Sequence, residues 1–210
     1  MKISPLKLTL AVVAVLIIFF LTTFSNQWGN VTAEKTSKDF EPEIKKLSSN
    51  PASAKKLCPD ITKKLRESIP KLEGKDVEIK RLKTIKLILD CEVAAENHEN
   101  SLKVLQEISA ALPQEARWHA EMASTFYKLG RYGEAARSAR LSVQLAPKDF
   151  RYQLQEARIL AKTPMRKRTS HAYEAAIKLA PYDQVKKVHE EHIKFLNSIN
   201  SQQFGDSSPK

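Results

Sequence analysis

Glycine is scarce, with five residues in a chain of 210. Aromatic residues are few as well, and the two shortages argue against Gly-punctuated β folds and against a Gly-rich loop that cradles phosphate. Only two cysteines occur, Cys58 and Cys91. Without a Cys-x-x-Cys pair there is no thioredoxin-like exchange, and without Cys-x-x-Cys-His no covalent c-type haem. His189 and His192, in the run HEEHI, come nearest to a metal pattern, but they are not HExxH and lack a third ligand. They are read as a helix face, and His98, His119 and His171 as ordinary isolated histidines. No Ser–His–Asp or Cys–His constellation and no paired carboxylates stand out. The reading is therefore of a protein that is not an enzyme, with no catalytic residue, cofactor or metal.

Charge is missing from the N-terminal stretch. After Lys2 and Lys7 no charged residue appears until Glu34, and Leu8 to Phe24 reads LTLAVVAVLIIFFLTTF. This run is longer than a usual signal-peptide core and slightly short of the ~20 residues that span a bilayer. Trp28 can extend it by sitting at the far interface. The preferred reading is a cytoplasmic N-terminus over 1–7, a signal-anchor transmembrane helix over 8–28 and a tether over 29–52 that can hold one helical turn around Ile44 to Leu47. Thr23-Phe24-Ser25 and Val31-Thr32-Ala33 are weak cleavage patterns, so release as a soluble protein stays open as the alternative. Positive charge beside the apolar run places the C-terminal domain on the extracytoplasmic side, in a bacterium the periplasmic face of the inner membrane. No Arg precedes Arg66, against a mitochondrial presequence, and no Cys follows the apolar run, against a lipoprotein. In an oxidising compartment Cys58 and Cys91 can form a disulfide; otherwise they are two buried thiols.

Net charge is +11, which favours acidic partners or an anionic membrane surface. The basic residues are dispersed and mixed with acids, so nucleic acid is disfavoured. Order is expected from about Ser53, with Pro59 and Asp60 in the first turn of a helix. Ile61, Leu65, Ile69 and Leu72 make one stripe at helical spacing, Pro70 ends or kinks that helix, and Gly74 stops it. Leu82, Ile85, Leu89 and Val93 share the next face, and Leu102, Leu105 and Ile108 mark another short helix.

Pro113, Pro147 and Pro181 stand 34 residues apart, and SVQLAPKD from Ser142 matches AIKLAPYD from Ala176 in kind. A 34-residue period with a helix–turn–helix in each unit resembles the tetratricopeptide repeat family. The unit 116–149 carries the likeness best, through Ala123, Phe126, Leu129, the turn Gly130-Arg131-Tyr132, Ala135 and Pro147. His119, Met122 and Ala139 depart from the family's residues there. The unit 150–183 keeps Ala157, Leu160, Tyr173, Ala176 and Pro181. It departs at an irregular turn over 162–168 and at Thr169, where the family has Ala. The region 53–115 is a helical leading region that includes a degenerate unit, 82–115. A capping helix is expected over 184–199 and a disordered tail over 200–210.

The resemblance implies an all-α array of helical hairpins whose first helices line a concave groove. In that register Lys83, Arg117 and Arg151 repeat, as do Lys128 and Lys162, and Ser124, Tyr127 and Arg158 fall on the same face. It thus implies a basic groove for a segment of another protein, one that can be acidic, although Ala120 and Leu154 break the family's carboxylate-clamp pattern. If 59 onward forms a cryptic leading unit, Cys58 and Cys91 fall at near-equivalent positions of neighbouring helices. The function expected is a membrane-tethered scaffold or adaptor on the extracytoplasmic side; envelope assembly, secretion and cytochrome maturation are processes that suit this architecture. The alternative is a soluble secreted or periplasmic structural or interaction protein, released by signal cleavage.

Overall fold

The computed structural model describes residues 36–204, with side chains to 201. The expected cytoplasmic N-terminus (1–7), anchor (8–28) and both cleavage patterns lie outside the described residues. Among the described residues all regular structure is helical, and no helix is long and apolar enough to cross a membrane. The chain forms two compact units, Met1–Asn97 and His98–Lys210. Their boundary falls inside the segment 82–115 that the sequence reading treats as one degenerate repeat.

The first unit contains α1 (residues 36–47), α2 (Pro51–Ser68), a single 3-10 turn (Ile69–Lys71) and α3 (Val77–Ala94). The tether expected over 29–52 is corrected by α1, whose Ile44 and Leu47 are buried. Phe40, Ile44 and Leu47 are the whole apolar face of this short helix, and Pro42 inside it reads as a breaker. Helix α2 starts before Ser53: Asn50 Oδ1 accepts the Ser53 amide at 3.1 Å, and Pro51 occupies the first turn. Pro59 consequently lies in the helix interior rather than in its first turn. Ile61 and Leu65 of α2 pack into the core with Ile85, Ile88 and Leu89 of α3, whereas Val93 is 47% exposed. Its expected place in the core is taken by Cys91, which is bonded to Cys58 with the two Cα atoms 5.5 Å apart.

The second unit contains α4 (His98–Ala111), α5 (Ala116–Lys128), α6 (Tyr132–Leu145), α7 (Phe150–Leu160), α8 (Arg166–Leu179) and α9 (Tyr182–Phe204). Helices α4, α6 and α8 each end two residues before Pro113, Pro147 or Pro181, because proline cannot extend a helix on its N-terminal side without clashing with the preceding turn. The register repeats in side chains too. The ring of His119 lies 3.1 Å from the Pro113 carbonyl, and the Gln153 amide donates to the Pro147 carbonyl at 3.0 Å. A polar residue six positions after Pro113 and after Pro147 thus satisfies the carbonyl of that proline.

Ala123, Ala135, Ala139, Ala157 and Ala176 are completely buried, so paired helices approach at their crossings with no side chain beyond Cβ between them. Phe126, Leu154, Leu160, Tyr173 and Val188 fill the space around them. The α5–α6 turn closes through left-handed Gly130, with the Gly130 amide donating to the Tyr127 carbonyl and the Arg131 amide to that of Phe126. The second turn is shorter than the expected 162–168, because Arg166, Lys167 and Arg168 already belong to α8. Thr169 fits where the family has Ala: it is fully buried, and its hydroxyl donates to the Met165 carbonyl at 3.0 Å. Helix α9 is longer than 184–199 at both ends and continues to Phe204, into the stretch expected as tail.

Candidate functional site: the groove between α5 and α7

Helices α5 and α7 stand side by side in the second unit and leave two adjoining hollows between their exposed faces. One, of about 520 Å³, is lined by Ser124, Tyr127 and Lys128 of α5 with Arg151, Gln155, Arg158 and Ile159 of α7. The other, of about 360 Å³, is reached past Ser124, Arg151 and Gln155, which border both, and adds Arg117, Ala120, Glu121 and Tyr152. From Arg117 to Lys128 the groove follows roughly 16 Å of helix. An extended strand of about five residues covers that distance.

Six of the eight residues expected in the groove meet here: Arg117, Ser124, Tyr127, Lys128, Arg151 and Arg158. Lys162 does not line it, because α7 ends at Leu160 and Lys162 sits in the turn beyond. Lys83 belongs to the first unit, where it borders a different hollow with Ser37, Glu41, Ile79 and Thr84.

Gln155 crosses the floor. Its amide donates to the Ala120 carbonyl at 2.8 Å and to Ser124 Oγ at 2.7 Å, tying α7 to α5. Ile159 is buried beneath, giving the wider hollow an apolar base beside the Tyr127 ring.

The arginines are already paired. Arg117 donates to Glu121 one turn along α5 at 2.8 Å, and lies over the Trp118 ring at 4.9 Å. One repeat on, Arg151 reaches both carboxylate oxygens of Asp149, at 3.1 and 2.6 Å, and lies over the Tyr152 ring at 5.7 Å. Asp149 also caps α7 by accepting the Arg151 amide at 2.9 Å. These bonds hold its carboxyl below the ordinary carboxylate range, against a smaller opposing effect of burial. Arg158 is held differently: its Nε and Nη2 donate in parallel to the two oxygens of Glu191 on α9, both at 2.8 Å. That fork lowers the Glu191 pKa, chiefly through the hydrogen bond from Arg158. Lys128 has no carboxylate partner among the described residues.

Gln155, Tyr152, Ile159, Glu121, Asp149 and Glu191 are residues that sequence reasoning misses. The 34-residue register places Gln155 beside the expected Arg151 and Arg158, but a glutamine carries no charge to draw notice. Glu191 lies outside the two best-matching units and reaches the groove only through the docking of α9. Among the described residues no three of His, Cys, Asp and Glu are grouped to hold a metal. His192 is buried against α8, its Nε2 2.8 Å from Ser170 Oγ and its ring stacked on Tyr173 at 5.3 Å between centroids.

No protein-family model and no curated protein sequence matches the chain. Solved structures do resemble it. The TPR2B domain of yeast Sti1, in its complex with pHsp70, superposes on 56% of this chain and 97% of its own length, with a TM-score of 0.51 and 16% identity. MamA AMB-1, in the crystal form P212121, covers 77% of this chain and 96% of its own, with a TM-score of 0.50 and 14% identity. At these identities the likeness is one of fold: an all-α array of TPR-like helical hairpins.

Proposed function

We propose that the chain is a tethered scaffold that holds a short segment of a partner protein in the groove between α5 and α7. The observation that carries this reading is the groove itself. It has an apolar base (Ile159), a rigid amphipathic wall (Tyr127) and a cationic rim, along a span that fits about five extended residues. An aromatic beside cations over apolar ground gives both shape and orientation to a bound segment. The Sti1 domain is a precedent of the same fold in a complex with another protein.

Tethering rests on the sequence of 8–28, and the extracytoplasmic side on the two lysines before it. The Cys58–Cys91 bond supports the same side, since disulfides persist in oxidising compartments. In this reading the first unit links the anchor to the array. Envelope assembly, secretion and cytochrome maturation are the processes in which such a part would serve.

The test is a photo-crosslinking residue at Tyr127, in cells, with Arg137 on the exposed side of α6 as control. A discrete adduct from position 127 alone is expected, and its mass names the partner. Equal labelling from both positions, or none from either, would refute the groove.

A further inference from the structure

Three of the groove's four cations are paired, but the pairs are of two kinds. Arg117 with Glu121 and Arg151 with Asp149 are local, each within one stretch of α5 or at the start of α7. Arg158 is instead neutralised from outside the groove walls, by a residue 33 positions away on α9. Of the five N–H donors of a guanidinium, Glu191 takes the Nε and one Nη2 proton, which is one complete bidentate edge. A ligand carboxylate reaching this end finds that edge occupied and the charge compensated. In the same hollow Lys128 keeps its charge uncompensated among the described residues.

Helix α9 lines neither hollow itself and acts on the groove only through the Glu191–Arg158 pair. It is held in place by Val188 and His192, both buried, and by the stacking of His192 on Tyr173. Glu191 is therefore presented to Arg158 by a docked helix, one residue before a buried anchor. Its carboxylate takes one bidentate edge of Arg158 and compensates the charge that a ligand carboxylate in the hollow would otherwise meet.

We propose that Glu191 is a specificity-determining residue of the groove: by closing Arg158 it makes the groove select segments with one carboxylate, met by Lys128, over polyacidic segments. This rests on the groove reading above. A second or third ligand carboxylate gains no free cation near Arg158 and meets the Glu191 charge instead, so added acidity is not rewarded. Removing the Glu191 charge while keeping its shape releases Arg158 and reverses the preference.

The experiment titrates the full chain in detergent micelles, at low ionic strength, with two peptides blocked at both ends so that no terminal carboxylate takes part. These are acetyl-Ala-Leu-Glu-Leu-Ala-amide and acetyl-Glu-Leu-Glu-Leu-Glu-amide, followed by calorimetry. Glu191→Gln, which retains hydrogen-bonding capacity toward Arg158, is expected to tighten the triacidic peptide about five- to tenfold and the monoacidic one less than twofold. Arg158→Gln alone uncovers the Glu191 charge and is expected to weaken the triacidic peptide while changing the monoacidic one less than twofold, and the double variant to lose the gain. The proposal is overturned if Glu191→Gln leaves the triacidic peptide unchanged, tightens both equally, or keeps its gain without Arg158. Lys128→Gln and Tyr127→Ala separate the two levels. If they weaken both peptides while Glu191→Gln is silent, the groove stands and the role of Glu191 falls. If neither matters, or nothing binds, both readings fall.

Discussion

Reducing the Cys58–Cys91 bond should loosen the first unit and leave the second as it was. The bond closes a loop of sequence separation 33 between α2 and α3, and in the chain-entropy model such a loop contributes about 3.7 kcal/mol by restricting the unfolded chain. With a urea dependence of about 1.5 kcal/mol per molar, the midpoint of the first unit should fall by roughly 2.5 M on reduction. Hydrogen exchange read by mass spectrometry resolves the effect by segment. Protection in α2 and α3 should drop on adding dithiothreitol, whereas α5 to α8, which contain no cysteine, serve as an internal control. Two outcomes refute the reasoning. Titration of unreduced, denatured protein could find two free thiols, in which case no bond forms. Alternatively, protection could fall equally in both units, which would locate the effect elsewhere than in this loop. Cys58→Ala with Cys91→Ala should likewise loosen the first unit, because both side chains are fully buried and alanine brings no polar group into the core.

Two further expectations follow from the second unit. Burial pushes the His192 imidazole below its ordinary pKa of 6.5, an effect that His189 reinforces and Glu174 opposes. A released α9 therefore takes up a proton near 6.5 while the docked one resists it, so docking is fully stable above 6.5 and weakens as pH falls toward the lower docked value. Exchange of the α9 amides, corrected for intrinsic rate, should accelerate from pH 7 to pH 5 in the wild type and not in His192→Gln; equal acceleration in both would remove His192 as the cause. Ala123→Leu should destabilise the second unit by about 1–3 kcal/mol, since Ala123 is completely buried at a helix crossing and overpacking forces the helices apart. Thermal unfolding checks this, and an unchanged midpoint would show that the crossing has room.

The repeat was legible because proline and alanine act locally and at fixed positions. Pro113, Pro147 and Pro181 each stand two residues past a helix end, and the buried alanines recur in the paired helices between them. The helix α1 was legible only as a single turn around Ile44 to Leu47, not over its full length of 36–47. Its apolar face is three residues long, and Pro42 within it suggests a break that packing of Ile44 and Leu47 overrides. Val93 failed for a related reason: the α3 pattern permits more than one face, and the covalent partner of Cys91 fixes which one turns inward. In the groove, the register located six residues from single positions. It could not show that Lys162 lies beyond the end of α7, since helix ends depend on the irregular turn that follows.

What the register least reveals is the electrostatic character of the site. A row of Arg117, Arg151 and Arg158 beside Lys128 reads as a strongly basic ladder, yet each arginine is matched by Glu121, Asp149 or Glu191. Two of those carboxylates are within four residues of their arginine, and the third arrives from α9. Exposed pairs of this kind contribute little to stability, usually below about 1 kcal/mol. They do remove most of the field that an approaching anion would feel. Binding in the groove should then depend on Tyr127, Ile159 and the fit of the segment more than on bulk charge, with a salt dependence that reflects Lys128 alone. Affinity that collapsed with added salt, as for a site with four open cations, would contradict this assignment and return weight to the ladder as the sequence presents it.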